Sequence, residues 1–262
     1  METLDSIAVN SFGKKSRIEL CQGDLTSLPM EDKVDLLVVS AFPNDYLPTI
    51  SSLIGALARK GVSVNSLAND KAVDLRHAFS CWLSQELASN PGIPYKRILC
   101  FEPGSRGRPP ELVGDIFRSL APFLSGPQKL ESVAMPLVAA GDQGYAVEEM
   151  LKPLLEAAIN WMQAGMPLSL LKIVAHRERQ AQLAHEVFRQ MKNRLSSGTV
   201  GARAYTYDVF VSYAHEDRRP ADILAAYLEK LSLRVFIDRQ ELQEGSAWQA
   251  HIFLPSTDAR GF

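Results

Sequence analysis

The stretch SVAMPLVAAGDQGYAVEEMLKPLLEAAINWM, residues 132–162, decides the fold: an apolar run, a glycine-punctuated loop and a long amphipathic run follow one another without a break. SVAMPLV is short and apolar, as a strand covered on both faces must be. Gly141 and Gly144 open the loop. Beyond Tyr145, the residues Val147, Met150, Leu151, Leu154, Leu155, Ala158, Ile159 and Met162 share one helical face. Pro153 is expected to kink or shorten the first turns of that helix, and Gly165 to end it. Strand, glycine loop and helix in this order aim a helix N-terminus and loose backbone amides at one point, a suitable cradle for a diphosphate. The bland alternative is that the two glycines only turn a strand into a helix.

Working outward, RIELCQ (17–22), VDLLVVS (34–40), RILCFE (97–102) and LKIVA (171–175) repeat the apolar-strand pattern and read as members of one buried sheet. Between them Ala72, Val73, Phe79, Trp82, Leu83 and Leu87 recur at helical spacing, as do Leu112, Ile116, Phe117, Leu120 and Leu124. Both sets are expected to form covering helices. A last helix carries Leu183, Val187, Phe188 and Met191, after which RLSSGTVGARAY (194–205) loses all periodicity. The expected organisation is a first domain over 1–194, a linker over 195–204 and a second block over 205–262. In that block YDVFVS (207–212), a helix with Ile223, Leu224, Tyr227, Leu228 and Leu231 inward, and LRVFID (233–238) begin a new β-α-β unit.

Composition narrows the function classes. The 262 residues are 46% hydrophobic and 22% charged, with a formal net charge of −2. That balance supplies no basic field for duplex nucleic acid, so any anion must be gripped locally. No apolar run has the length of a membrane span, and the N-terminus lacks the order of a secretory signal, so the chain reads as cytoplasmic with no membrane partner. Cys21, Cys81 and Cys100 form no metal-type spacing and read as reduced, buried thiols; no metal is expected.

In CQGDLTSL (21–28), Gly23 and Asp24 follow a strand directly, at the carboxyl edge where open α/β sheets dock ligands. The Asp24 carboxylate can accept an adenine amino group, or can simply make good turn chemistry. Phe42 can stack on an adenine or ribose face, or sit in the core. Asp142 and Gln143 can bond a ribose hydroxyl or cap the following helix. His77, His176 and His185 have no partner at metal spacing and read as structural or solvated.

Taken together, Gly23, Asp24, Leu25 and Thr26 after one strand, and Pro136, Gly141, Gly144 and Tyr145 after a late one, resemble the macro domain family over residues 17–191. The resemblance implies a three-layer α/β fold, helices on both faces of the sheet, and a site for ADP-ribose or another NAD derivative. It implies as ligand contacts Asp24, Leu25, Ser40, Phe42, Gly141, Asp142, Gln143, Gly144 and Tyr145, with no further cofactor. LKIVAHRERQAQLAHEVFRQM (171–191) is similar to the family's closing strand and helix. The family's asparagine-rich turn is VVSAFPND here, with the asparagine positions falling near Val39 and Phe42, and its glycine run is replaced by SSLIGALARKG. Those groups position the distal ribose and a water in the family's hydrolases, so no catalytic residue is assigned.

Residues 207–252 resemble the opening of Toll/interleukin-1 receptor (TIR) domains: Tyr-Asp-Val-Phe-x-Ser-Tyr, an acidic loop, a helix, a strand ending Phe-Ile-Asp and a Gly-x-x-Trp stretch. This resemblance implies the first β-α-β of a flavodoxin-like fold, and places Phe210, Ser212, Tyr213, Arg239 and Trp248 at a pocket edge or interface. Catalytic TIR domains cleave NAD with a glutamate on a helix beyond the third strand, and the sequence ends before it; a truncated TIR module is therefore expected. The favoured expectation is a signalling or immune protein of bacterial defence type: the first domain senses an NAD-derived nucleotide, and the TIR part self-associates or meets other TIR chains. An NAD-processing enzyme and a ligand-free scaffold are the competing readings.

Overall fold

The computed structural model describes residues 1–11, 14–87, 93–103, 109–127, 129–137, 145–197, 209–211, 213, 217–230 and 235–237. The chain forms two compact units, Met1–Gly201 and Ala202–Phe262. The first contains β1 (Glu2–Ser11), β2 (Lys14–Gln22), β3 (Val34–Ser40), α1 (Leu53–Arg59), α2 (Val64–Asn69), β4 (Lys71–Asp74), α3 (Arg76–Phe79), β5 (Cys81–Ser84) and β6 (Tyr95–Phe101). It continues through α4 (Pro109–Leu124), β7 (Ser132–Pro136), α5 (Val147–Gln163), β8 (Leu170–Ala175) and α6 (Glu178–Ser196).

Its eight strands form one sheet in the order β1-β2-β8-β7-β3-β6-β5-β4. The five central strands, β2 to β6 in that order, are parallel, and an antiparallel strand or hairpin closes each end. Alternation of side chains across the pleat explains why apolar residues dominate both faces of these runs. In β3, Leu36 and Val38 enter the larger core with α4, α5 and α6, while Leu37 and Val39 enter the smaller core with α1 and α2. Helices therefore cover both faces, giving the three-layer α/β architecture expected.

The structure corrects several expectations. Residues 72–87 are not a helix but the β4–β5 hairpin with the single turn α3 at its tip. Cys81 and Leu83 face the larger core and Trp82 the smaller, a period of two that satisfies the open edge of β6. Ser80, at φ 52°, ends α3 in the left-handed region and so starts the return strand. The strand β1 adds an edge that the sequence pattern did not reveal; Asp5 ties it to α6 through Lys192 at 2.5 Å. Pro153 does not shorten α5, which runs unbroken through it and ends in a Schellman motif at Gly165, φ 98°. There Gly165 N donates to Met162 O and Met166 N to Trp161 O. In α6 the inward position is Ala184 rather than Leu183, which is exposed.

At the amino edge of the sheet, Asp35 accepts from Ser132 N, Ser132 Oγ and Glu131 N, and pairs with Lys96 at 2.5 Å. Burial alone would raise its carboxyl, but Lys96 and these donors outweigh it and hold it below the usual carboxylate range. A depressed native value means the contribution is present above the unfolded value and is lost as pH falls through the native one. Asp35→Asn should therefore lower the melting temperature at neutral pH, with the gap to the native chain closing under strong acid; a gap independent of pH would contradict this.

The second unit shows β9 (Val209–Val211), α7 (Arg218–Lys230) and β10 (Val235–Ile237), with β9 and β10 parallel. It is the expected β-α-β, but α7 is turned otherwise than expected. Ala221 and Ala225 are its buried stripe, whereas Ile223, Leu224 and Tyr227 are exposed and Leu228 is half-buried. Among the described residues no helix is long and apolar enough to cross a membrane.

Candidate functional site

Because five strands run parallel, their carboxyl ends share one edge, and the residues following them converge there. In spatial order these are Gly23 and Asp24 after β2, His176 after β8, Leu137 after β7, Ala41 and Phe42 after β3, and Glu102 after β6. Gly23 N donates to Ala175 O at 3.1 Å, Leu137 N to Val174 O at 3.1 Å, and Ala41 N to Phe101 O at 3.0 Å.

Asp24 caps the 3-10 turn Leu25–Ser27. Its Oδ1 accepts from Thr26 N and Thr26 Oγ1, both at 2.8 Å, while Oδ2 takes only a long 3.4 Å bond from the exposed Ser27 hydroxyl. Burial pulls the carboxyl upward, but the Thr26 bonds and nearby His176 outweigh it and hold it below the usual range. Turn chemistry and an available acceptor thus coexist in one side chain, since the two oxygens divide the tasks. His176 Nδ1 lies 3.2 Å from the Gly23 carbonyl. As a carbonyl only accepts, Nδ1 carries the proton, and in the neutral ring Nε2 is the acceptor.

Leu25 is buried in the smaller core, leaving its backbone as the only contact it can offer. Ser40 is exposed at the end of β3. Phe42 is 51% exposed, so the core reading of that ring is excluded. β3 stands three strands from β2, about 14 Å at the usual strand spacing. Phe42 therefore belongs to the opposite end of the edge from Asp24, not to the same base. Tyr145 is half-buried and packs on the larger core. The N-terminus of α5 is closed by its own chain: Ala146 N donates to Glu149 Oε2 at 3.1 Å. Gly141, Asp142, Gln143 and Gly144 lie outside the described residues, as do Ser212, Arg239 and Trp248. In the second unit Phe210 lies in β9 and Tyr213 is half-buried.

One residue of this edge, Glu102, was not singled out by sequence reasoning. Glu102, 4% exposed, accepts from Tyr46 Oη and Trp82 Nε1 at 2.5 Å each, and from Asn44 N at 3.2 Å. A glutamate ending an apolar strand, RILCFE, was the available signal; its partners, Tyr46 and Trp82, are distant in sequence. Cys21, Cys81 and Cys100 are buried and unpaired, and burial pushes all three thiols up, Cys81 to about 12, which makes them poor nucleophiles. Among the described residues no cluster has metal-ligand geometry.

Residues 209–257 match the family model for the TIR domain. The first unit is similar in structure to macrodomains. A variant of the Oceanobacillus iheyensis macrodomain with ADPR is 18% identical, with a TM-score of 0.54 over 72% of this chain and 100% of that one. The same organism's macrodomain with ADP is 19% identical, with a TM-score of 0.50 over 72% and 98%. The Trypanosoma brucei macrodomain in complex with ADP-ribose is 19% identical, with a TM-score of 0.50 over 65% and 68%. No curated protein matches the sequence. The first unit has the macrodomain fold, and the residues that match the TIR domain model follow it.

Proposed function

We propose that the macrodomain-fold unit binds a nucleotide of the ADP-ribose class along the shared carboxyl edge, and that the TIR segment serves signal transduction or association. The observation that carries the first half is Asp24: a carboxylate held ionised at the end of β2, with Oδ1 occupied by Thr26 and Oδ2 open to a donor such as an adenine amino group. From there the nucleotide runs across the strand order, its diphosphate over the glycine loop after β7 and its second sugar toward the ends of β3 and β6. The macrodomains of similar fold that hold ADP, ADPR and ADP-ribose support that choice of ligand. For the second half, the exposed Ile223, Leu224 and Tyr227 of α7 offer an apolar face to a second copy or another TIR chain.

Isothermal titration of the chain with ADP-ribose, ADP and NAD tests the reading. Asp24→Asn keeps the Thr26 bonds through its carbonyl but turns an amide donor toward the adenine amino group. It should weaken ADP-ribose by about 10- to 100-fold, the usual worth of one bond to a charged partner. Gly141→Glu, which places bulk and negative charge in the glycine loop, should abolish binding. Absence of saturable heat from the folded native chain with all three nucleotides would sink the proposal and leave the scaffold reading.

A further inference from the structure

Glu102 takes up three donors, yet nothing in its own strand requires a carboxylate. Its three partners all belong to other segments: Tyr46 and Asn44 to the connection after β3, and Trp82 to β5. Asn44 stands at φ 60°, a left-handed conformation, and its Oδ1 accepts from Arg76 Nη1 at 2.6 Å. Arg76 in turn forks onto Asp74 at 2.7 and 2.8 Å. The Tyr46 ring meets Trp82 edge-on, centroids 5.8 Å apart at 90°, and Lys71 Nζ lies 5.6 Å from the Trp82 ring centroid. Burial and the adjacent Glu102 carboxylate keep the Tyr46 hydroxyl protonated and donating. The turn closed by the Phe42–Asp45 bridge is thus pinned from two sides while Phe42 itself stays exposed.

This turn occupies the far end of the edge. β3 and β6 lie three and four strands from β2, roughly 14 and 19 Å from the Asp24 end. That reach corresponds to the second sugar of a nucleotide, beyond its diphosphate. Burying a carboxylate costs several kcal/mol and is offset by well-placed donors, here three from two other segments, so such a group fixes one arrangement of the segments it joins.

We infer that Glu102 is a positioning residue: it holds the 42–46 turn as the end wall of the cleft, and this wall selects nucleotides bearing a second sugar over those that stop at the diphosphate. The inference rests on the ADP-ribose-class reading above. Its test compares ADP-ribose with ADP by titration of the full chain, native and Glu102→Gln, with amide hydrogen exchange read over residues 44–47. The glutamine retains one carbonyl oxygen for Tyr46 and Trp82 but sets an amide donor against Asn44 N–H. ADP-ribose should weaken about tenfold, ADP should stay within twofold, and exchange over 44–47 should quicken. Tyr46→Phe, which removes one donor and leaves the Trp82 bond, carries the same expectation in smaller measure if the glutamine variant does not fold. Equal weakening of both nucleotides would show a merely structural residue, and unchanged selectivity in a loosened turn would equally overturn the inference. A native chain that binds neither nucleotide overturns the ADP-ribose-class reading itself and this selection with it, an outcome distinct from native binding that the variant leaves untouched.

Discussion

Replacing Lys172 by methionine lowers the melting temperature of the first unit by about 10 °C or more, corresponding to roughly 3–5 kcal/mol in a unit of this size. Lys172 is 4% exposed in β8, directly opposite Glu19 of β2 in the ladder. Its Nζ lies 2.8 Å from Asp32 Oδ1 and 2.9 Å from Glu19 Oε2. The Glu19 contact is one of charge rather than an aligned hydrogen bond, since Oε2 has no directed donor. Arg17, more exposed, reaches Glu19 Oε1 at 2.8 Å. Methionine fills the volume but takes the buried cation from Glu19 Oε2, leaving only the exposed Arg17 at Oε1 to compensate a buried charge. Burial alone would lower the lysine's pKa, yet Asp32 and Glu19 outweigh it and raise it. A raised native value means the contribution is complete below the ordinary lysine range and fades only as pH climbs through the native value. The loss should therefore be constant from acid-neutral to mildly alkaline conditions, and Glu19→Gln in the same chain should recover part of it. A melting temperature within 2 °C of native, or no recovery in the double variant, would contradict this account.

Gly55→Ala should also destabilise, although alanine ordinarily improves a helix by about 1 kcal/mol over glycine. A Cβ at Gly55 would stand 1.8 Å from the Thr49 carbonyl oxygen and 2.8 Å from its carbon. These are backbone atoms, and the carbonyl is held where it is by Ser52, whose Oγ also caps α1 through Gly55 N at 3.0 Å. The 47–50 segment must move, at a cost of about 2–3 kcal/mol. Gly114 in α4 provides the contrast: nothing lies near its missing Cβ, and Gly114→Ala should stabilise by up to about 1 kcal/mol. Thermal denaturation of the two variants side by side reads the opposite signs; the same sign for both would refute the steric argument.

How far the molecule was legible depended on burial. The parallel strands could be read because both faces of each are covered, so VDLLVVS and LKIVA are mostly apolar, broken only by Asp35, Ser40 and Lys172. The edge strand β1 escaped notice because ETLDSIAVNS buries only Ile7 and Val9 fully and alternates with polar residues. The β4–β5 hairpin imitated a helix because Ala72, Val73, Phe79, Trp82 and Leu83 match helical spacing by coincidence; the left-handed Ser80 between them leaves no signature in a serine. At the candidate site, the turn that Asp24 caps could be read from its neighbours Gly23 and Thr26. Glu102 could not, since its partners lie 20 and 56 residues away and only the folded chain brings them to it.

The pairing of β2 with β8 also has a consequence for biosynthesis. Asp24 emerges early from the ribosome, but the strand β8 that flanks β2 comes much later, and the histidine that touches the Gly23 carbonyl lies 153 residues beyond that glycine. The central sheet cannot close around β2 until β8 has been made, so at usual elongation rates this nascent segment waits roughly ten seconds or more. A growing chain that has not reached Ala175 holds the Asp24 carboxylate without the wall beside it. The edge on which the proposed nucleotide site depends is then completed only near the end of the first unit's synthesis, shortly before the ribosome reaches residues 209–257.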